Sequence, residues 1–245
     1  MAFDRRQLRL ERLNIQAIHD AAFTFWNLRG IIAERWGHGP VFAAMGEGPG
    51  QVQLQPNIED PDRRLVGVYG LKGTVLLGEG PDRSSQAEEL TEDWFREVYE
   101  VVKPRRTVRL LVQRFGLYPV RDPTQVSRKL RGAFYRNENL QTVLSDRLKP
   151  YRDSFHAAVD WLVVDGDHRT SLIAGAVGPP HEGTFFQFPN KQRDDAWWFG
   201  FNLNHGLVNV ETGIDDPLDK LAELVQTSKT DYGHMTDTVL REVIP

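Results

Sequence analysis

The stretch "KPRRTVRLLVQRFGLYPVRDPTQVSRKLRGAFYR" (residues 103–136) decides how the chain is organised, because it contains a helix end, a strand and a helix start in succession. Proline disfavours the helical conformation in the residue before it, so the Lys-Pro pair at the start predicts the end of a helix. Apolar side chains alternate over 108–112, which is typical of a strand. The Asp-Pro pair at 122–123 predicts a helix start, with aspartate at the cap and proline at the first helical position. The stretch therefore divides the chain into two halves.

The half before this stretch reads as strands followed by a helix. Residues 51–58 and 63–80 form short β-prone pieces separated by turn residues. Ser85 to Glu88 has the form of a capping box, and apolar residues recur at helical spacing from there to the end of the helix. Earlier residues are ambiguous: they fit a helix from Ile18 through about residue 36, or a strand at "AAFTFW".

The half after this stretch repeats that order. A short helix is expected over 139–148, then β-prone pieces with turns from 155 to 211, then a long helix opened by the Asp-Pro pair at 216–217. Both halves predict an antiparallel meander followed by a helix. The fold class is therefore α+β, with an antiparallel sheet or sheets covered by helices and a long C-terminal helix. The division predicts an N-terminal half at 1–103 and a C-terminal half at 104–245, or one continuous domain with a single sheet.

The order of elements after Lys103 resembles the helix-grip arrangement of START and Bet v 1 type proteins. That order is a strand, two short helices, about five antiparallel strands and a long helix. The resemblance is one of topology over roughly 140 residues, and no sequence motif accompanies it. It implies a fold in which an apolar ligand is held between a curved sheet and the last helix. It carries no function by itself.

A second resemblance concerns two short motifs. The ending "YGHMTDTVLRE" places Thr236, Asp237, Arg241 and Glu242 as in a sporadically distributed bacterial family of about 250 residues. In that family a strand of the form Arg-x-Gly-x-Arg-Tyr also occurs, and "VQRFGLYPV" is similar to it, with Leu117 in place of the second arginine. The family has no assigned activity. Its patchy distribution implies an accessory gene, in mobile or defence-associated clusters.

Several kinds of chemistry find no support in the sequence. The chain has no cysteine, which excludes disulfides, thiolate nucleophiles and Cys-ligated metals. It has no Gly-x-Ser-x-Gly elbow and no P-loop ending, and its seven histidines are scattered. Asp167 and His168 in "DGDHRTS" can contribute to an oxygen and nitrogen site, but the residue types favour a hairpin turn. These observations identify no catalytic residue, no metal and no cofactor, and they favour a protein that is not an enzyme over one that is.

Basic residues are concentrated in the centre of the chain. Residues 103–152 carry thirteen basic side chains against three acidic ones, whereas the whole chain has a net charge of −4 and a pI near 6.0. Such a block can bind an anionic partner or neutralise acidic surfaces of the protein itself. The candidate anion-binding or partner-binding residues are Arg105, Arg106, Arg109, Arg128, Lys129 and Arg131.

Aromatic residues are densest between 184 and 205. A strand with aromatic side chains on both sides is covered on both sides, so one side can form the core and the other a ligand pocket. A large core built from both layers explains the same residues. The candidate pocket residues beneath the C-terminal helix are Trp161, Trp197, Phe199 and Tyr232.

Three hypotheses for function follow. The first is a cytoplasmic, non-enzymatic protein that binds a protein partner or itself as an accessory component of a bacterial assembly. The second is binding or conversion of a small apolar ligand under the C-terminal helix. The third is nucleic-acid binding through the basic stretch, against which the acidic pI argues. No apolar run in the sequence is long enough to cross a membrane, so no membrane association is expected.

Overall fold

A computed structural model describes residues 4–37, 41–42, 44–55, 63–134, 158–177, 197–210 and 215–244. The N-terminal half contains a 3-10 turn at Arg5–Gln7 and seven further elements. These are β1 (Arg9–His19), α1 (Phe25–Gly37), β2 (Ala44–Gly48), β3 (Gln51–Gln55), β4 (Leu65–Gly70), β5 (Gly73–Glu79) and α2 (Pro81–Val102). The C-terminal half contains β6 (Thr107–Val120), α3 (Pro123–Phe134), β7 (Ala158–Asp165), β8 (His168–Val177), β9 (Trp197–Val208) and α4 (Asp215–Val243).

All nine strands belong to one sheet with the order β2-β3-β4-β5-β1-β6-β9-β8-β7, and every neighbouring pair is antiparallel. The α+β class and the long C-terminal helix are therefore confirmed. The first strands of the two halves, β1 and β6, pair with each other at the centre of the sheet. Each half thus has the same connectivity, a strand and a helix followed by a meander whose last strand returns to the first. The two halves meet as one continuous sheet.

The helices α1 to α4 pack against a single face of this sheet. Alternation along β1 shows which face it is, because Leu13, Ile15 and Ala17 are buried whereas Asn14 and Gln16 are only half-buried. One core lies under α1 and α2 and includes Phe25, Trp94 and Phe95. A second lies under α3 and α4 and includes Leu130, Phe199, Phe201 and Leu240. None of the described helices is long and apolar enough to span a membrane.

The local signals in the stretch 103–136 are confirmed. Lys103 ends α2 in the left-handed conformation (φ 48°), and its backbone N–H donates to the Tyr99 carbonyl. Asp122 caps α3, since its Oδ1 accepts a hydrogen bond of 2.9 Å from the Gln125 N–H. The turn between β7 and β8 forms as predicted, with Gly166 in the left-handed region (φ 55°).

Three sequence expectations are corrected. The segment that begins at Ile18 is not a helix through residue 36, because β1 occupies 9–19 and the helix starts only at Phe25. The capping box at Ser85 is wrong, because α2 begins four residues earlier at Pro81 and the Ser85 hydroxyl donates to the Pro81 carbonyl. The last of the β-prone pieces expected over 155–211 are one strand and not several, because residues 197–208 form β9 without an intervening turn. The expected helix at 139–148 lies outside the described residues.

Candidate binding face and buried polar junction

The face of the sheet opposite the helices, called here the uncovered face, carries no helix in the described part of the chain. Its centre is crossed by a row of aligned side chains, one from each of four neighbouring strands. Asn14 pairs with Gln113, Gln113 with Asn204, and Asn204 with Ser171. All four are half-buried and uncharged. We call these four residues the polar row.

Hydrogen bonds connect the polar row to itself and to its neighbours. Asn204 Nδ2 donates to Ser171 Oγ at 3.2 Å, and Gln113 Nε2 donates to Asn202 Oδ1 at 3.0 Å. Amide groups carry both donors and acceptors, so these bonds use only part of their capacity. On the β5 side the row continues into half-buried and buried aliphatic residues, with Leu77 opposite Asn14 and Val66 opposite Leu77.

Charged residues on the uncovered face flank the polar row. The strand register places four arginines and two carboxylates on this face, namely Arg9, Arg12, Arg109, Arg169, Glu79 and Asp160. Arg12 and Glu79 form an ion pair with each other. Helix α2 is by contrast acidic, with Glu88, Glu89, Glu92, Asp93, Glu97 and Glu100. Helix α3 of the same layer is basic, with Arg128, Lys129 and Arg131.

An apolar cluster adjoins the polar row on the same face. Phe115, Leu117 and Val177 are buried together, and Ile173 and Trp198 pack against them. The guanidinium of Arg9 lies 5.8 Å from the centre of the Trp198 ring, within the range of a cation–π contact. Since this cluster lies on the uncovered face, it is separate from both cores of the helix layer.

The six basic candidates of the central stretch do not lie on one surface. Arg105 and Arg106 are exposed in the connection before β6, and Arg109 is exposed on the uncovered face. Arg128, Lys129 and Arg131 belong to α3, which packs on the helix-bearing face beside β8 and α4. Arg109 and the three α3 residues therefore lie on opposite faces of the sheet.

Arg114 is the basic residue of the stretch that the structure places most distinctively. It lies on the helix-bearing face of β6 with only 2% of its side chain exposed. Its Nη1 donates to Glu88 Oε2 on α2 at 2.9 Å, its Nε to Ser228 Oγ at 3.1 Å, and its Nη2 to the Val225 carbonyl at 3.2 Å. Glu88 also accepts from Lys229 Nζ at 2.6 Å. This polar junction joins the N-terminal half to the C-terminal helix.

The electrostatics of the junction hold Glu88 in its ionised form. Burial pushes the pKa of the Glu88 carboxyl upward, but the hydrogen bonds from Lys229 and Arg114 outweigh it. The pKa of Glu88 therefore lies below its ordinary value. Since ionised groups in a partly buried site need partners, the junction depends on all three charges being present.

His205 lies next to this junction, buried on β9. Its Nδ1 lies 3.2 Å from Thr170 Oγ1, and its Nε2 lies 3.4 Å from Asp231 Oδ2 on α4. Burial lowers the pKa of His205; Asp231 opposes that shift, whereas Arg114 and His168 reinforce it. The ring borders a surface cavity of about 420 Å³ that His168, Lys220 and Glu223 also line. Among the described residues, no group of three or more potential ligands could hold a metal ion.

Motif residues that carried the family resemblance have packing roles. Tyr232 places its hydroxyl where a Cβ on Gly116 would be, so only glycine fits at that position of β6. Thr236 is buried, and its hydroxyl donates to the Tyr232 carbonyl at 2.6 Å. Asp237 accepts a hydrogen bond of 3.2 Å from Arg5. These residues fasten α4 to the sheet and to the start of the chain.

The four pocket candidates lie in three different surroundings. Phe199 and Tyr232 are buried in the core under α4. Trp197 lines a surface groove of about 460 Å³ beside α3. Trp161 is 39% exposed on β7 and contacts the Phe134 ring edge-on.

Sequence reasoning missed two sets of residues here. The polar row was not foreseen because its members come from four strands that are distant in sequence, and no spacing connects them. Arg114 was not singled out, because its partners Glu88 and Ser228 lie 26 and 114 residues away along the chain. The one signal that could have identified it is its strand parity, which it shares with the apolar residues Leu110 and Val112.

No protein-family model matches the chain, and no curated protein is significantly similar to it.

Proposed function

We propose that the protein is a non-enzymatic, cytoplasmic component of a bacterial assembly, and that its uncovered face binds an acidic surface of a protein partner. The polar row carries this proposal. Four hydrogen-bonding side chains are aligned at the centre of a sheet face that no described helix covers. Interfaces of this kind combine an apolar or neutral centre with a charged rim.

The charges on this face support an acidic partner. Arg109 and Arg169 lie on one side of the polar row, and Arg9 and Arg12 on the other. Carboxylates of a partner that docks on the neutral centre would meet Arg109 and Arg169 on one side and Arg9 on the other, while Arg12 is already paired with Glu79. Complementary charges of this kind steer association and fix the orientation of the partner.

A protein surface suits the face better than nucleic acid. The arginines on this face are few, Arg12 is already paired with Glu79, and the pI of the whole chain is about 6.0. Nucleic-acid surfaces neutralise many phosphates and belong to basic domains. Half-buried aliphatic residues such as Leu77, Val75 and Leu111 instead add area typical of protein contacts.

Charge reversal on the uncovered face tests the proposal. The wild-type chain, the Arg109→Glu/Arg169→Glu variant and an Asp93→Lys control are purified from the source cells. Asp93 is exposed on α2, in the helix layer. Native mass then gives the stoichiometry of any bound chain, and the absorbance ratio at 260 and 280 nm reports nucleic acid.

We expect a partner chain at fixed stoichiometry with the wild type and the control, and its loss from the double variant at unchanged melting temperature. The proposal is contradicted if the wild type is a bare monomer, or if the control loses the partner while the double variant keeps it. If the wild type carries nucleic acid and the double variant does not, the protein-partner proposal is wrong and the third hypothesis, nucleic-acid binding, takes its place.

A further inference from the structure

Strand β7 forms one end of the sheet and pairs only with β8 among the described strands. Four consecutive apolar residues of β7 are exposed: Trp161 by 39%, Leu162 by 67%, Val163 by 59% and Val164 by 54%. Edge strands are usually protected by lysine, proline or a bulge, because their free backbone groups accept further strands. β7 has none of these, and its register with β8 is regular throughout.

The strand at the other end of the sheet is protected. β2 has only five residues, two of which are glycines. Its Glu47 forms an ion pair with Arg29 of α1 at 3.8 Å. Of the two edge strands of the sheet, β7 is therefore the one that lacks such protection.

The backbone of β7 has groups that can bond to an added strand. In a hairpin with a two-residue turn, the residues next to the turn bond to each other, and the pairs then alternate between bonded and non-bonded. Asp165 pairs with His168 next to the turn, so the N–H and C=O groups of Val164, Leu162 and Asp160 point away from β8. The side chains of these three residues are exposed on one face, and those of Trp161 and Val163 are exposed on the other.

The charges of β7 decide between a second copy of the chain and a different partner. Its only charged residues are Asp160 and Asp165, both exposed. If two copies of β7 paired through these outward groups, Asp160 of one copy would lie opposite Leu162 or Val164 of the other, and no basic residue of β7 would meet either carboxylate. A different segment with lysine or arginine at these positions would supply the missing counter-charges.

We propose that the free edge of β7 binds an extended segment of a partner protein, which adds as a tenth strand. The segment presents alternating side chains to Leu162 and Val164, and lysine or arginine five residues apart opposite Asp160 and Asp165. Backbone hydrogen bonds supply affinity in this mode, and side-chain contacts supply specificity. Leu162 lies beside Ser171 at the end of the polar row, but the added strand bonds to the backbone edge of β7 and not to the sheet face, so either proposal can fail without the other.

Synthetic peptides test this edge directly. The probe is a labelled eight-residue peptide with valine and threonine alternating at its four central positions and lysines at positions 2 and 7. A matched peptide has glutamates at positions 2 and 7. Fluorescence anisotropy with the full chain measures both affinities.

We expect the lysine peptide to bind at least ten-fold more tightly than the glutamate peptide, and Asp160→Lys/Asp165→Lys to reverse that preference. Leu162→Pro removes an outward N–H without removing a bond to β8, so it should abolish binding, whereas Leu162→Thr should retain it. Circular dichroism and the melting temperature show that both variants are folded. Any of three results would overturn the proposal. The lysine peptide does not bind saturably, the two peptides bind equally well, or Leu162→Pro binds the lysine peptide as tightly as the wild type does. A wild-type dimer that Leu162→Pro dissociates would also overturn it, because the second copy would then be the occupant.

Discussion

The guanidinium of Arg114 on β6 lies 2.9 Å from the carboxylate of Glu88 on α2, so the two halves of the protein are joined by a buried ion pair as well as by the central strands. Arg114 belongs to the basic stretch that divides the chain, and Glu88 belongs to the acidic helix before it. At this position, the opposite charges of the two segments attract each other and stabilise the fold of the protein itself. Arg109, by contrast, is exposed on the uncovered face.

Removal of Glu88 should destabilise the protein strongly. Glu88→Ala leaves Arg114 buried beside Lys229 without a counter-charge, and breaking a buried pair costs about 3 kcal/mol of unfolding free energy. Glu89→Ala is the matched control, because Glu89 is the exposed neighbour on the same helix and should change the free energy by less than about 0.5 kcal/mol. Urea unfolding measures both. Equal effects of the two substitutions would contradict a structural role for the pair.

Addition of a methyl group at Gly116 should be costly. The new Cβ of Gly116→Ala meets the Tyr232 hydroxyl, and overpacking of this kind costs about 1–3 kcal/mol. Tyr232→Phe removes a buried hydroxyl that has no hydrogen-bond partner among the described residues, so alone it should leave the stability unchanged or raise it. Combined with Gly116→Ala, it should recover part of the loss. Additive free energies in the double-mutant cycle would show that the two positions are not coupled.

Stability should fall as the pH is lowered below about 6.5, the ordinary pKa of histidine. His205 has a lowered pKa in the folded protein, so the unfolded chain takes up a proton that the folded protein resists. The resulting stabilisation is present above pH 6.5 and is lost as the pH falls towards the folded pKa. His19, which is also buried with a lowered pKa, contributes in the same direction.

Urea unfolding between pH 8 and 5.5 measures this loss, and His205→Asn should make the curve flatter without abolishing the slope. Asp231, Arg114 and His168 face the His205 ring, and the variant leaves all three in place. Parallel curves for the wild type and the variant would show that His205 is not responsible.

The sequence predicted those parts of the fold that depend on local chemistry. The cap at Asp122, the end of α2 at Lys103 and the turn at Gly166 each follow from the conformational preferences of one or two residues. β1 was missed because Ile18 and the apolar residues after it also match helical spacing. Only its pairing with β5 and β6 decides in favour of a strand.

The candidate surfaces were less predictable, for a physical reason. Neighbours across a sheet can lie far apart along the chain: Asn14 and Gln113 are separated by about a hundred residues yet directly paired. Alternation assigns a side chain to a face but not to a neighbour. For the same reason, Arg109 and the basic residues of α3 formed one cluster in sequence, although they lie on opposite faces of the sheet.

Thiol labelling inside cells tests most directly whether the uncovered face binds a partner. The chain has no cysteine, so a single cysteine gives a signal without background. Gln16→Cys places it on the uncovered face beside the polar row, and Asp93→Cys places it on the exposed side of α2 as a control. We predict that Gln16→Cys is labelled slowly in intact cells and rapidly in the purified chain, whereas Asp93→Cys is labelled at the same rate in both. Equal labelling of Gln16→Cys in cells and in the purified chain would contradict the proposal that this face is occupied.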